Sequence, residues 1–148
     1  MIQKLEHRVK INAEEIRNVF QVSYKIEAQL LGARNFPPLS RSIQSFINSA
    51  NAFYGFYTNK QLVAVLEMKK EQESMLIQSL VVHPDFFRRG IARKLIEFIL
   101  QKSDSNQFAV ETGKDNDPAR KLYESFGFQL VKTYIAEENI TKVRYHKR

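Results

Sequence analysis

Residues 87–93 read Phe-Arg-Arg-Gly-Ile-Ala-Arg, and they follow an apolar run, MLIQSLVV, that stops at His83-Pro84. A helix starting here leaves its first N–H groups without carbonyl partners and carries a partial positive charge at that end. A turn that aims successive N–H groups at one point adds to this and makes an anion site. Gly90 has no Cβ, so the backbone can approach a ligand closely. Ala92 is the next small residue, while Arg88 and Arg89 add long-range attraction and phosphate contacts. Residues 88–93, with Ile91 and Arg93 among them, therefore predict a seat for a pyrophosphate. The competing reading is an ordinary strand-to-helix turn with both Arg solvated. A second group with chemistry is Glu67 in LVAVLEM, a carboxylate amid apolar neighbours, which raises its pKa and suits it to accept a proton. His83 has no partner in the local sequence and reads as a turn residue.

The elements that position these groups follow from periodicity. An opening strand spans roughly residues 2–10. Asn12 then serves as N-cap, with Glu15 three residues on as in a capping box. Ile16, Val19, Phe20, Ile26 and Leu30 recur at helical spacing until Gly32. Pro37-Pro38 breaks the chain before a second helix carrying Ile43, Phe46 and Ile47. FYGFY (53–57) and LVAVLEM (62–68) flank a hairpin turn, and a further turn leads to the strand at 75–82. From Gly90 a helix with Ile91, Leu95, Phe98 and Ile99 on one face runs to about Ser103. QFAVET (107–112) is the next strand. Asp117 caps the helix after it, Pro118 takes the first helical position, and Gly127 ends it. Strands at about 128–135 and 139–146 close the chain as a hairpin. The order β-α-α-β-β-β-α-β-α-β-β predicts an α/β (α+β) domain, its helices packed on a mixed, mostly antiparallel sheet. A parallel pair is expected only between 75–82 and 107–112.

Bulk properties narrow the class. The chain has 148 residues, 43% hydrophobic and 26% charged, as expected for one globular domain. No apolar run reaches the ~20 residues that span a bilayer, and the N-terminus lacks the apolar centre of a signal peptide. There is no Cys, and His7, His83 and His146 are too scattered for a ligand set, so no metal is expected. The expected location is cytoplasmic. The net charge of +7 is spread over both halves, with a local concentration in the tail KVRYHKR. It suits an anionic partner without choosing among nucleic acid, a polyphosphate and a membrane.

Two stretches resemble one family. LVVHPDFFRRGIA resembles the acyl-CoA-binding motif of the GNAT N-acetyltransferases, usually written Gln/Arg-x-x-Gly-x-Gly/Ala. Gly90 and Ala92 match, while Phe87 stands in the Gln/Arg place and leaves the contacts there to backbone N–H groups. Further along, residues 116–128 (NDPARKLYESFGF) are similar to the family's second cofactor motif, Asn-x-x-Ala-x-x-x-Tyr-x-x-x-Gly-Phe, through Asn116, Ala119, Tyr123, Gly127 and Phe128.

The resemblance implies a GNAT-like fold and a single domain over 1–148. Residues 1–73 form an acceptor-side half, 74–128 the cofactor-binding core and 128–148 the C-terminal hairpin. It implies that the strands at 75–82 and 107–112 splay apart and that acetyl-CoA lies in the gap. Main-chain groups of Leu80, Val81 and Val82 hold its pantetheine arm, residues 88–93 hold its pyrophosphate, and Asn116, Ala119 and Tyr123 complete the site. The activity implied is direct transfer of an acetyl group to a primary amine of an unidentified acceptor. Tyr123 matches the family's general acid; the competing account makes it a core aromatic beside Ala119, Leu122 and Phe126.

Family members carry a base at places matching Ser74, Leu76 and Gln78, none of which can serve here. Glu67 is the substitute, with Glu73, Glu111 and a water relay as alternatives. The helices at 13–31 and 40–50, the NFPPL connection and the aromatics Phe36, Phe53, Tyr54 and Phe56 are expected to receive the acceptor. The basic charge favours a neutral or acidic acceptor. Two other classes compete: an acyl-CoA-binding module without catalysis, and a nucleic-acid-binding protein, in whose basic tail only Tyr145 is interleaved. A homodimer is compatible with every one of these readings.

Overall fold

The computed structural model describes residues 1–32 and 37–148. Its strands are β1 (Ile2–Lys4), β2 (Ala52–Thr58), β3 (Gln61–Lys70), β4 (Met75–Val82), β5 (Phe108–Gly113), β6 (Gln129–Ile135) and β7 (Thr141–Lys147). The α-helices are α1 (Lys10–Leu31), α2 (Ile43–Ile47), α3 (Ile91–Lys102) and α4 (Asp117–Ser125). The element order is the predicted one. All seven strands join one sheet in the order β1-β2-β3-β4-β5-β7-β6, and only β4 and β5 run parallel.

Central strand β3 is buried on both faces, so its apolar residues run almost without interruption. On one face, Val65 and Val81 meet Ile16, Val19 and Phe20 of α1 and Phe46 of α2. On the other, Leu66 and Ile77 meet Leu95, Ile96 and Ile99 of α3, with Tyr123 of α4 and Tyr145 of β7 in the same cluster. Helix α1 thus covers one face of the sheet, and α3 and α4 serve the other.

The parallel pair is short. Met75, Leu76 and Ile77 pair with Phe108, Ala109 and Val110, and the register ends there although both strands continue. The cause lies on the other side of β4. Glu67 of β3 opposes Ser79, while the next residue, Met68, opposes Ile77. Gln78 is therefore the extra residue of a β-bulge, and a bulge bends its strand. The bend falls at the point where β4 leaves β5, and a cleft opens between them.

Three sequence expectations on local structure are corrected. The opening strand covers Ile2–Lys4 rather than 2–10, because the chain turns at Glu6–Val9, where Val9 N donates to Glu6 O, and α1 begins at Lys10. Asn12 is not the cap of α1: Val9 precedes the helix without a side-chain cap, and Asn12 Nδ2 donates to Glu6 O at 3.1 Å. In α4 the cap is Asn116, one residue before the expected Asp117, and its side-chain oxygen accepts from Ala119 N.

Candidate active site

The turn before α3 is built on left-handed residues. Gly90 has φ 73° and ψ 16°, a left-handed conformation in which a Cβ is strained, and the space where a Cβ would stand is empty to 4 Å. Arg88 is left-handed as well, with φ 64°, which local sequence did not announce. The first backbone N–H of the helix to find a carbonyl is that of Lys94, on Gly90 O at 3.1 Å. Those of Ile91, Ala92 and Arg93 begin the helix and have no such partner in it.

These groups border a cavity of about 450 Å³ between β4, α1 and the starts of α3 and α4. Leu80, Val82, Arg88, Gly90, Ile91, Ala92, Arg93, Asn116 and Ala119 all line it. Three residues expected with them do not: Tyr123, which lines a second, smaller cavity, Val81 and Arg89. Val81 points to the opposite face and is buried against the α1 cluster, as strand alternation requires. Arg89 lies with its guanidinium 4.9 Å from the Phe86 ring. Arg93 is tied to α4 through Ser125 Oγ at 2.9 Å.

A second cavity of about 340 Å³ continues from the first into the gap between β4 and β5, and the two share Glu27, Leu80, Asn116 and Ala119. Tyr123 lines it from α4, and Tyr24 and Glu27 line it from α1. Because the strands part here, side chains from helices on opposite faces of the sheet border one space. Tyr123 is 5% exposed, and no hydrogen bond from the described residues holds its hydroxyl. Burial raises its pKa, and the charges of Glu27 and Tyr24 add to the rise.

Sequence reading missed Glu27. Burial lifts its carboxyl above the ordinary range, against the pull of the Lys142 charge and of the Asn116 amide. Asn116 Nδ2 donates to Glu27 Oε1 at 3.1 Å, and Oε2 receives no hydrogen bond among the described residues. A signal was present. Glu27 continues the stripe of Ala13, Ile16, Phe20 and Tyr24 that α1 presents to the sheet, and an acid there is out of pattern.

Glu67 differs from expectation in its surroundings. It is fully buried, but four donors surround it: Arg41 Nη1 (2.8 Å) and Ser79 Oγ (3.0 Å) on Oε1, Arg41 Nη2 (3.0 Å) and Asn51 Nδ2 (2.8 Å) on Oε2. Arg41 also stacks over Phe46 at 4.0 Å. Glu67 does not line either cavity; its partners Arg41 and Ser79 line the smaller one. The carboxylate is thus the hub of a buried network.

The other acidic alternatives differ again. Glu73 is exposed on a separate depression. Glu111 lines the smaller cavity. Burial works to raise its pKa, but hydrogen bonds from Tyr134 and Arg144 outweigh that and hold it below the usual range. Tyr134 in turn is pushed up to about 12, by burial first and then by its bond to Glu111.

The aromatics expected around the acceptor are core residues. Phe53 is fully buried, Tyr54 and Phe56 pack on the α3 side, and none lines the cavities. Phe36 and part of the NFPPL connection lie outside the described residues. The aromatics that do border the smaller cavity are Phe20, Tyr24 and Tyr123. Among the described residues no acidic or His cluster could hold a metal, and no helix is long and apolar enough to cross a membrane.

Fold and site together define a class: a mixed sheet opened at its parallel pair, with a left-handed turn at the start of α3 beside one cavity and a tyrosine lining the other. The sequence pattern of the acetyltransferase (GNAT) family matches residues 13–128. The chain belongs to the GNAT acetyltransferase family. It is 33% identical over 147 residues to the UPF0157 protein YqkA of Bacillus subtilis (strain 168), a match covering 99% of this chain and 43% of that protein. The chain thus spans less than half the length of that relative.

Among solved structures, the ribosomal-protein-S18-alanine N-acetyltransferase of Escherichia coli superposes with a TM-score of 0.77 at 18% identity, covering 99% of this chain and 92% of that one. The PaiA N-acetyltransferase of Thermoplasma acidophilum, solved in complex with coenzyme A, gives 0.69 at 17% identity, covering 97% and 96%. At such identities these likenesses establish the fold.

Proposed function

We propose that the protein is an N-acetyltransferase that moves an acetyl group from acetyl-CoA to a primary amine. The observation that carries this reading is the pair of adjoining cavities beside the parting of β4 and β5. The larger is lined by Arg88, by Gly90 to Arg93 and by Leu80 and Val82 of β4, the smaller by Tyr123, and the two share Glu27, Leu80, Asn116 and Ala119.

The residues present fit the donor. Unpartnered N–H groups of Ile91, Ala92 and Arg93, beside the Arg88 charge, suit a diphosphate. Main-chain groups of β4 beyond Ile77 have no partner on the β5 side and suit an extended amide-bearing arm. Asn116 borders both cavities, although its side chain is already engaged with Ala119 N and Glu27. When bound, acetyl-CoA supplies an acetyl thioester. Tyr123 donates its phenolic proton to the departing sulfur, a role helped by the absence of any competing hydrogen bond. Glu67 fixes Arg41 and Ser79 in the cavity wall. The walls around Tyr24, Arg41 and Lys142 receive the acceptor.

The test combines binding with turnover. Acetyl-CoA is expected to raise the Tm, and thioester consumption is expected with at least one member of a primary-amine panel of peptides, polyamines and aminoglycosides. No rise in Tm overturns the reading. A rise without consumption identifies an acyl-CoA-binding module instead.

A further inference from the structure

Transfer to an amine needs a group that removes a proton, because an ammonium has no lone pair for attack. We propose that Glu27 of α1 is that group, a catalytic base supplied from the face of the sheet opposite α4; the assignment rests on the N-acetyltransferase reading above. The proton balance is simple. A nitrogen–hydrogen bond of the acceptor ammonium breaks, its electron pair stays on nitrogen, and the proton goes to Glu27 Oε2. From there it leaves to water through the open cavity.

Geometry selects Glu27 from the acids nearby. Glu67 has four donors on its two oxygens and lines neither cavity. Glu111 is held by Arg144 and Tyr134, so a proton on it is disfavoured. Glu27 alone of the three keeps an oxygen without a hydrogen bond from the described residues. It also borders both the donor cavity and the smaller one. With Oε1 held by Asn116, Oε2 is the oxygen left to accept a proton, and it is not sealed away from solvent.

The groups around it fit the role. Tyr24 from α1, Tyr123 from α4, Lys142 from β7, Glu111 from β5 and Arg41 border the same space. Of these charges, Lys142 favours the ionised form of Glu27, while burial opposes it more strongly. The result is a carboxylate that holds a proton more readily than one in water, which is what a base for an ammonium requires.

The experiment compares wild type with Glu27→Gln, which keeps an oxygen for Asn116 but cannot titrate. Thioester consumption is followed from mildly acidic to mildly alkaline pH, with the amine panel as acceptor. Tm is recorded over the same range with and without acetyl-CoA. The variant is expected to keep the acetyl-CoA-induced rise in Tm and lose about 100-fold or more in kcat/KM. The acidic limb of the wild-type profile should disappear. Independently of activity, the variant should be more stable than wild type at alkaline pH, and the difference should vanish in acid.

A variant that keeps its rate within a few-fold and retains the same acidic limb overturns the assignment. So does a stability difference independent of pH. A wild type that binds acetyl-CoA yet acetylates no amine overturns the transferase reading itself, and Glu27 as base falls with it.

Discussion

Asn116 and Glu27 are 89 positions apart in sequence and meet through a 3.1 Å hydrogen bond where the two cavities adjoin. The same Asn116 side chain accepts from Ala119 N and so begins α4. One amide therefore joins the cap of one helix to a carboxylate on another. Asn116→Ala should cost about 1 kcal/mol of stability from the lost cap. Because the tie to Glu27 goes too, turnover should fall as well; Asn116→Asp keeps the capping oxygen and should lose less stability than Asn116→Ala, yet it repels the Glu27 carboxylate and should lose turnover all the same. Urea denaturation and steady-state rates on both variants check this.

Gly90 supports the left-handed turn at the start of α3. Any other L-residue there is strained by about 1–2 kcal/mol. Gly90→Ala should lower stability by that amount and weaken the Tm rise caused by acetyl-CoA, although no neighbour lies within 4 Å of the added methyl. An undiminished rise would show that the turn's shape is immaterial to the ligand.

Tyr123 separates chemistry from packing. Its ring contacts Phe128 and Tyr145, with centroids 5.8 and 6.5 Å away, while its hydroxyl has no hydrogen bond among the described residues. Tyr123→Phe should leave stability and acetyl-CoA binding nearly unchanged and lower kcat by about 100-fold. Equal loss of binding and rate would instead assign the hydroxyl to cofactor contact.

Glu67 and Arg41 form a bidentate pair with one member wholly buried. Removing one partner leaves the other charge uncompensated, at a cost of about 3 kcal/mol or more. Glu67→Gln should therefore be strongly destabilising, whereas replacing both members by apolar residues should recover much of the loss. A double-mutant cycle by chemical denaturation measures the coupling.

Two carboxyls of one cavity should respond to pH in opposite senses. The pKa of Glu111 is lowered in the folded protein, so its contribution to stability is present above the unfolded carboxylate value and is lost as pH falls through the folded one. That of Glu27 is raised, so its contribution is present in acid and is lost as pH rises through its folded value. Arg144→Met leaves the Tyr134 bond in place and should reduce the Glu111 effect, making the acid limb of a stability–pH curve shallower. Persistence of the full limb in that variant would place the acid sensitivity elsewhere.

Much of this was legible from local pattern. Periodicity gave the element order, and Gly90 marked the turn from β4 into α3, because both depend on neighbours within a few residues. What escaped depends on distant partners. Glu67 looked like a lone acid among apolar residues, since Arg41 and Asn51, 26 and 16 positions away, supply its hydrogen bonds. The aromatics of β2 looked like a pocket lining because alternation cannot say which face meets a cavity. Glu27 lay in plain view on the apolar stripe of α1, but its meaning required knowing that the sheet parts above it.

The brief pairing of β4 with β5 also bears on how the protein avoids sticking to itself. Beyond Ile77 and Val110 each strand keeps one neighbour and leaves its other border of N–H and C=O groups unmatched. On the rim of a sheet such a border recruits foreign chains and seeds aggregates. Here it lies recessed under Tyr24 and Glu27 on one side and Ala119 and Tyr123 on the other. Set back in this way, the unmatched border is shielded from the flank of another folded molecule.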